Sequence, residues 1–365
     1  LQEAFNMRLS IEQPTLVSAL ATVHGIIEKR NIIPILAHVH LSASDGTLTV
    51  RATDMDVEAT TRVACEVEAE GETTVAADLL ANVVKKMAKG KMVTLSEDKG
   101  HLHVESGKTK IDFATLPAGD YPKIASDEYT AEFTIPADEL GRLFRKASFA
   151  MSTDESRYHL NGIYLHPTDD GITAVATDGH RLAKVWTDTQ ADFPGVIVPR
   201  KTIAEVVKVL SIGDVHVSVS DGKIKFDLGD TIITSKVIDA AFVDYQRVIP
   251  QGLTDVFRAD AKEFANAASL VAMVCENKVR AVTLSIKDGL IDFSVKGTHQ
   301  AFDEVEAHVT GQECELGFNV KYLADVLAQS DGGDVDFYYS GVGNPAVIKT
   351  TEDCSFLAVV LPMRI

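Results

Sequence analysis

The segment Asp178-Gly-His-Arg181 places an imidazole between a carboxylate and a guanidinium, and His180 could serve there as a general base. General-base catalysis also requires a nucleophile and a group that orients the base. Nothing in the sequence supplies either at a recognisable spacing. An enzyme built around His180 therefore stays the alternative from another functional class, and we predict no catalytic residue.

Two histidine pairs alternate along strand-like segments, which puts both members of a pair on one face of a strand, where paired imidazoles could bind a metal. Neither pair has a thiol partner nearby, and the four cysteines are far apart without a C-x-x-C pair. We predict no metal and no cofactor, and we interpret the cysteines as buried or incidental thiols. The histidine pairs are His38/His40 and His101/His103, and the cysteines are Cys65, Cys275, Cys314 and Cys354.

The composition is that of a folded protein with more than one domain, because 365 residues exceed one ordinary domain and 45% of them are hydrophobic against 24% charged. The sequence contains no run of about 18 apolar residues and no secretory signal pattern, so we expect a cytoplasmic protein with no membrane partner. Its net charge of -18 argues, taken alone, against a nucleic-acid partner.

The chain repeats itself three times, with four landmarks recurring in one order about 120 residues apart. The clearest runs from Gly46 to Asp54 and is echoed by 171–178 and, more faintly, by 289–297. The other landmarks begin at Val75, Val198 and Phe318, at Leu9, Phe133 and Val256, and at Asp120 and Asp244. We predict three tandem domains over residues 7–127, 128–252 and 253–365.

Each copy alternates helical and strand-like periodicities in a fixed order. Two amphipathic helices are predicted per copy, among alternating segments separated by hairpin signals such as Asp45-Gly46. Pro14, Pro136 and Pro199 lie where helices begin. This pattern predicts an α+β fold with helices on one side of antiparallel sheets. The predicted helical ranges are 13–30, 77–91, 136–151, 199–211, 259–274 and 319–330, and their apolar positions in copy one include 79, 80, 83, 84 and 87.

Positive charge is concentrated on these helices, which carry 14 basic and 8 acidic residues while the rest of the chain has a net charge of -24. The helices of the third copy are close to neutral. A solvated helix face is charged in any protein, but this segregation would let DNA approach the helices while the remaining surface repels it. The helical charge indicates Lys85, Lys86 and Arg145 as DNA-facing residues.

Seven motifs resemble, in order and spacing, the signature segments of the bacterial DNA polymerase III beta subunit family, the sliding clamps, and the resemblance runs from Met7 to Ile365. They are Thr115-Leu-Pro-Ala-Gly-Asp-Tyr-Pro122, Arg157-Tyr-His-Leu-Asn-Gly162, Ala176-Thr-Asp-Gly-His-Arg-Leu182, Val198-Pro-Arg-Lys201, Thr234-Ser-Lys-Val-Ile-Asp-Ala-Ala-Phe242, Gly317-Phe-Asn-Val320 and Leu361-Pro-Met-Arg-Ile365.

The resemblance implies a non-catalytic processivity factor: a head-to-tail homodimer whose six domains form a ring around duplex DNA, with helices lining the hole and sheets outside. Loose, sequence-independent phosphate contacts suit sliding. It implies DNA-facing roles for Arg30, Tyr158, His159, Arg200 and Lys201. The chain departs from the family pattern at Asp78, where relatives often carry a basic residue, and at Thr153 and Asp154.

The resemblance also implies a groove between the second and third domains that takes a short peptide with a Gln and aliphatic or aromatic anchors. Its expected partners are replicative and repair DNA polymerases, the clamp loader and other proteins that carry such a clamp-binding motif. Val243 replaces the proline usual in its segment. The implied groove residues are Leu160, Thr177, Gly179, His180, Arg181, Leu182, Val243, Arg247, Val248, Asn319, Tyr322, Val359, Val360, Leu361, Pro362, Met363 and Arg364.

By the same resemblance, an edge segment of copy one docks onto copy three of a second chain, with basic residues facing acidic ones. A three-repeat adhesion or scaffold protein is a further alternative, but it explains neither the helical charge nor the C-terminal tail. The expected interface residues are Lys108, Lys110, Ile111 and Phe113 on one side and Met273, Val274, Asp303, Glu304 and Glu306 on the other.

Overall fold

The computed structural model describes residues 6–28, 32–124, 128–275 and 280–364. Within them the chain forms two compact units. Unit 1 consists of Leu1–Asp138 and Lys201–Val237, and unit 2 of Glu139–Arg200 and Ile238–Ile365.

Six α-helices lie in the described residues, two in each predicted copy, as the periodicity predicts. They are α1 (Gln13–His24), α2 (Ala77–Lys86), α3 (Ala137–Ser148), α4 (Arg200–Val209), α5 (Ala261–Val271) and α6 (Val320–Leu327). Pro14 lies in the first turn of α1, where its missing amide leaves no intrahelical bond unmade.

Twenty-six strands accompany the helices in the same part of the chain. The first copy contains β1 (Met7–Glu12), β2 (His38–Ser44), β3 (Thr47–Thr53), β4 (Val57–Ala64), β5 (Glu66–Ala69), β6 (Gly71–Ala76), β7 (Met92–Asp98), β8 (His101–Ser106) and β9 (Thr109–Ala114). The second contains β10 (Ala131–Pro136), β11 (Gly162–Thr168), β12 (Gly171–Thr177), β13 (Arg181–Trp186), β14 (Val196–Pro199), β15 (Asp214–Val219), β16 (Lys223–Asp227) and β17 (Thr231–Lys236). The third contains β18 (Asp255–Asp260), β19 (Ala281–Lys287), β20 (Leu290–Val295), β21 (Ala301–Glu306), β22 (His308–Thr310), β23 (Cys314–Asn319), β24 (Asp334–Tyr339), β25 (Ala346–Thr350) and β26 (Phe356–Val360). The predicted α+β fold with three tandem copies is confirmed.

Unit 1 packs α1, α2 and nearly all of α4 with two antiparallel sheets, whose strand orders are β5-β1-β7-β8-β9 and β10-β15-β16-β17-β4-β3-β2-β6. In the longer sheet β17 of the second copy pairs directly with β4 of the first, with Ile233 opposite Ala59. Leu16, Leu20 and Val84 are buried on the inner helix faces. The longer sheet thus runs across the predicted boundary near residue 128.

Unit 2 packs nearly all of α3 together with α5 and α6 against sheets ordered β14-β11-β12-β13-β26-β25-β24-β18-β22 and β21-β20-β19-β23. Here β13 pairs with β26 of the third copy, with Ala183 opposite Ala358. The core of the third copy contains a cluster of aromatic rings, in which Phe257 stacks on Phe337 and Phe264 meets Phe293 edge to face. The exact domain boundaries remain a prediction, since sheet pairing continues across them.

Two details of the helices differ from the predictions. Each helix is shorter than its predicted range, because periodicity continues into the turns that follow; after α5, for example, Ala272–Val274 form a 3₁₀ turn. Leu79 is one of the apolar positions by which the sequence marks α2, but its side chain is 59% exposed. Ala77, Leu80 and Val84 of α2 and Met87 just after it are buried, at three- and four-residue spacing.

Two turns at matching positions of copies one and two have the same hydrogen bonds. Asp54 Oδ1 accepts the backbone amides of Asp56 and Val57, at 2.9 and 2.7 Å. In the second copy Asp178 Oδ1 accepts those of His180 and Arg181, at 2.9 and 3.1 Å. The repeat that the sequence predicts therefore extends to individual hydrogen bonds.

No helix in the described residues is both long and apolar enough to span a bilayer.

Candidate partner pocket and nucleic-acid surface

Unit 2 contains a small apolar pocket of about 160 Å³ where the turn before β13 meets the end of β26. Apolar walls with a few fixed polar groups are typical of sites that take a ligand or an anchor side chain. All ten lining residues are among those expected for the partner groove: Leu160, Thr177, Gly179, His180, Arg181, Leu182, Val243, Val248, Val359 and Leu361.

The pocket is held by strand pairing and by a buried apolar cluster. Leu182 lies opposite Val359 across the β13–β26 pair, and the amide of Leu361 donates to the carbonyl of His180 at 2.9 Å. Leu182 and Val359 also belong to a buried cluster with Val175, Tyr245 and Val347. Val243, the departure from the family's proline, packs against this cluster and keeps its wall apolar.

Arg181 is the most constrained polar residue of the pocket, with 7% of its side chain exposed. Its Nε donates to Asp178 Oδ2 at 3.1 Å, its Nη1 to Asp325 Oδ2 at 2.5 Å, and its Nη2 to the Phe149 carbonyl at 2.6 Å. The guanidinium lies 4.7 Å from the Tyr322 ring centroid and 5.2 Å from that of Phe149. A buried charge requires such pairing.

Seven of the expected groove residues lie outside the pocket lining. The ring of Tyr322 stacks on that of exposed His180, with 6.0 Å between the ring centroids. Burial raises the pKa of the Tyr322 hydroxyl, and the negative charge of Asp178 raises it further. Asn319 caps α6 by accepting the amide of Lys321. Near the pocket rim, Arg247 forms an ion pair with Asp244 at 2.8 Å. In the C-terminal tail, Val360 is buried opposite Arg181, and Met363 forms a β-bridge with Gly317. Pro362 and Arg364 follow β26.

A group of rings beside the pocket was not anticipated as part of the site. Tyr164 stacks between Phe242 and His166, with centroid distances of 5.0 and 4.5 Å. The hydroxyl of Tyr245 lies 3.1 Å from His166 Nε2, and His166 Nδ1 donates to the Pro167 carbonyl. Burial lowers the pKa of His166. The repeated Asp-Tyr landmark marks Tyr245 in the sequence, whereas Tyr164 and His166 have no such signal.

The expected DNA-facing residues differ in how free they are. Lys85, Lys86 and Arg145 are exposed, Tyr158 is 56% exposed, and His159 is partly buried. Arg200 Nη2 donates to the Met151 carbonyl at 3.0 Å, and Lys201 Nζ donates to the Ile26 carbonyl at 2.8 Å and forms an ion pair with Asp54. Arg30 lies outside the described residues. Their contacts with DNA remain a prediction.

Three of the four histidines in the two alternating pairs have polar partners within the chain. His40 lies 3.2 Å from Glu72, His38 is 3.2 Å from the Thr74 hydroxyl, and His103 is 2.6 Å from Asp112. Asp178 holds the turn and Arg181, and it does not orient the His180 ring. In the described part of the chain, no three His, Cys, Asp or Glu side chains are grouped to hold a metal.

The expected interface residues lie on two edge strands or in nearby turns, with Lys108 just before β9 and with Met273 and Val274 in the 3₁₀ turn after α5. In unit 1, β9 ends its sheet and carries Lys110, which pairs with Glu105, while Phe113 points into the core with 8% exposed. In unit 2, β21 ends its sheet and carries exposed Glu304 and Glu306. Beside β21 lies an open cavity of about 710 Å³, lined by residues that include Leu270, Met273, Asp303 and Glu304. Met273 is 72% exposed, and Val274 is partly buried. Lys108 is exposed and Ile111 partly buried in unit 1.

Comparison with known proteins gives matches along almost the whole chain. Family models described as the N-terminal, central and C-terminal domains of the DNA polymerase III beta subunit match residues 7–125, 134–244 and 246–364. A protein of Caulobacter vibrioides named beta sliding clamp is 38% identical over 372 residues, which cover 98% of this chain and 100% of the relative. One of Pseudomonas aeruginosa with the same name is 34% identical with the same coverage.

Solved structures are similar over the same extent. A Bartonella birtlesii sliding clamp bound to griselimycin has a TM-score of 0.95 at 36% identity, over 98% of this chain and all of that one. A Caulobacter crescentus beta sliding clamp has a TM-score of 0.94 at 38% identity with the same coverage.

Proposed function

The chain belongs to the DNA polymerase III beta subunit family, the bacterial beta sliding clamps, and from this premise we propose how its surfaces serve a processivity factor. It is a DNA sliding clamp, and DNA and polymerases are its partners. The proposal concerns the finer steps, which are ring closure by two chains, enclosure of duplex DNA, and capture of partner peptides in the pocket of unit 2.

The pocket carries the proposal for partner binding. Its ten lining residues bring together segments 160–182, 243–248 and 359–361, which are distant in the chain, around an apolar space sized for a single anchor side chain. Neighbouring Tyr322 and His180 supply flat ring surfaces. A short peptide with aliphatic or aromatic anchors suits this arrangement. Replicative and repair polymerases, the clamp loader and other proteins with such a motif are the proposed partners.

Ring closure rests on the two edge strands. An unpaired strand edge offers backbone groups to another chain. In one chain β9 carries Lys110, with Lys108 just before the strand, and in a second chain β21 would present Asp303, Glu304 and Glu306. Joining two different surfaces head to tail gives a closed ring when the rotation closes. We therefore propose a homodimer, acting in the cytoplasm without chemistry of its own.

Enclosure explains how an acidic chain can serve DNA. A ring that surrounds the duplex needs only weak phosphate contacts, which Lys85, Lys86 and Arg145 are exposed enough to make. Arg200 and Lys201 retain this proposed role although both also bond within the chain. Arg30, Tyr158 and His159 complete the proposed DNA-facing set.

Topology is tested by loading the protein onto nicked circular DNA with a clamp loader and then linearising the circle. Enclosure requires salt-resistant retention on the circle and loss from the linear form. Equal retention on both forms would refute it.

Pocket binding is tested separately with a fluorescent peptide that carries a Gln, two Leu and a Phe. Val248→Asp places a charge on the apolar rim, where Val248 is 42% exposed. The matched control is Val342→Asp, because Val342 is 74% exposed outside the pocket lining. We expect loss of peptide binding in the first variant alone, and equal affinity in both would count against the pocket.

The alternative of an enzyme built around His180 requires a base free to act on a substrate. His180 stacks on Tyr322, and its backbone rather than its ring is held by Asp178. Neither contact activates a nucleophile. The clamp function therefore remains the better supported one.

A further inference from the structure

Arg181 lies in the pocket wall with each guanidinium nitrogen already bonded. The acceptors are the carboxylates of Asp178 and Asp325 and the carbonyl of Phe149. Asp325 reaches it from α6, at 2.5 Å, with a third of its own side chain exposed. Two carboxylates therefore face one cation.

The rings on either side complete the enclosure of this cation. Tyr322 and Phe149 lie 4.7 and 5.2 Å from the guanidinium carbon, and cations favour such positions over aromatic faces. With 7% of the side chain exposed, the guanidinium has little surface left for a ligand. Arg181 thus forms a flat part of the pocket wall, with its positive charge compensated by two carboxylates.

The matching place in the first copy has no such arrangement. Val57 occupies the position of Arg181 in the equivalent turn. By the offset of the repeat, Gly25 is the equivalent of Phe149, which it precedes by 124 residues. In the same way Glu205 of the second copy is the equivalent of Asp325 of the third, which it precedes by 120 residues. The Glu205 carboxylate lies so close to Gly25 that a Cβ there would meet it at 2.1 Å. The cation with its two carboxylates thus distinguishes the copy that has the pocket from the equivalent turn of copy one.

We infer that Asp325 is a positioning residue for partner binding: together with Asp178 it fully compensates the charge of Arg181 in the pocket wall, so that the pocket selects partner peptides by apolar shape and gains nothing from acidic side chains on them. The inference rests on the proposed peptide-binding function and specifies the chemistry of that site. Replacing Asp325 by Asn leaves Asp178 as the single carboxylate on Arg181, and Nη1 loses its charged acceptor, so that an acidic ligand group can compete with the neutral amide for it.

The test compares two fluorescent peptides that share the Gln, Leu and Phe anchors and differ by Asn or Asp at one non-anchor position. We expect wild-type protein to bind both with affinities within about twofold of each other, since a paired cation adds little. In Asp325→Asn the Asp peptide should bind about threefold more tightly than the Asn peptide, and high salt should remove the difference. Asp325→Glu should restore the wild-type ratio.

Asp331→Asn is the matched control, because it removes the same charge shortly after α6 from a side chain that is 79% exposed and contacts Lys146 rather than Arg181. It should keep the wild-type ratio. A second readout needs no peptide: modification of Arg181 by phenylglyoxal, followed by mass spectrometry, should be several-fold faster in Asp325→Asn.

The outcomes separate this inference from the function beneath it. An unchanged peptide ratio in Asp325→Asn, or equal weakening of both peptides with unchanged Arg181 reactivity, would overturn the positioning role while leaving the pocket intact. Wild-type protein that binds neither peptide would overturn the proposed pocket and this inference with it.

Discussion

Met55 and Gly179 occupy the same position in two copies of one turn, with φ angles of 78° and 87°. Each amide donates to the hydroxyl of the Thr two residues earlier, Thr53 or Thr177, at 3.0 and 3.1 Å. The left-handed region suits Gly and costs other residues free energy. Copy one therefore carries a strain that copy two avoids.

Replacing Met55 with Gly should stabilise the protein. Relief of the left-handed conformation, about 1–2 kcal/mol, exceeds the backbone entropy that Gly loses, about 0.5–1 kcal/mol. The Met55 side chain is 47% exposed, so its removal sacrifices little packing. We expect a gain of roughly 0.5–1 kcal/mol in urea unfolding. Met55→Ala keeps the strain and should show no gain, and a lower midpoint for the Gly variant would contradict the explanation.

Gly171→Ala should be far more damaging than Gly229→Ala, although both glycines have positive φ, 118° and 88°. A Cβ on Gly171 would meet the Thr187 carbonyl oxygen at 1.9 Å, whereas one on Gly229 meets nothing within 4 Å. We expect about 1–2 kcal/mol for backbone strain at Gly229 and roughly 3 kcal/mol or more at Gly171. Thermal unfolding measures both, and equal losses would show that the strand can shift to accept the methyl group.

Stability should fall as the pH drops below neutrality, in part because of His166. Burial lowers the pKa of His166 in the folded protein, the Pro167 carbonyl opposes this, and the charge of Lys184 adds to it. Because the native pKa lies below the value of about 6.5 in the unfolded chain, the contribution is complete above that pH and is lost as the pH falls through the native pKa.

His166→Gln keeps an acceptor for Tyr245 and removes the titration, so its stability should fall less between pH 7 and pH 5. Burial also lowers the pKa of His38 and His40, so part of the decline should persist. Identical pH profiles for the variant and the wild type would exclude His166 as a contributor.

Ile111→Asp or Met273→Asp should give monomers, because each places a charge where the proposed interface buries an apolar side chain. Met273 is 72% exposed in a single chain, so its substitution should not disturb folding. Sedimentation velocity measures the species present. Val342→Asp, at another exposed apolar position, should stay dimeric, and an unchanged dimer in the Ile111 and Met273 variants would remove those residues from the interface.

The sequence predicted the three copies and the six helices. The residues that line the pocket are all among those that the resemblance implies for the partner groove, and their role in peptide binding stays a prediction. The sequence did not predict the contacts between residues that are far apart in the chain. Asp325 lies 144 residues from Arg181, and the sequence around neither residue predicts a contact with the other. Leu79 belongs to the apolar pattern that marks α2 but is exposed, because the outer edge of an amphipathic face depends on what packs against it. Helix ends depend on turns that periodicity does not reveal.

The pairing of β17 with β4 bears on how the chain can be divided. A fragment that ended at residue 127 would contain all of the first predicted domain, yet β4 would lack its partner β17, whose residues Thr231–Ser235 pair with it. Its open edge would be free to recruit a strand from another molecule. The smallest piece of this protein that stays monomeric in dilute solution is therefore set by sheet continuity rather than by the repeat, and work on isolated parts should keep residues 201–237 with the first domain.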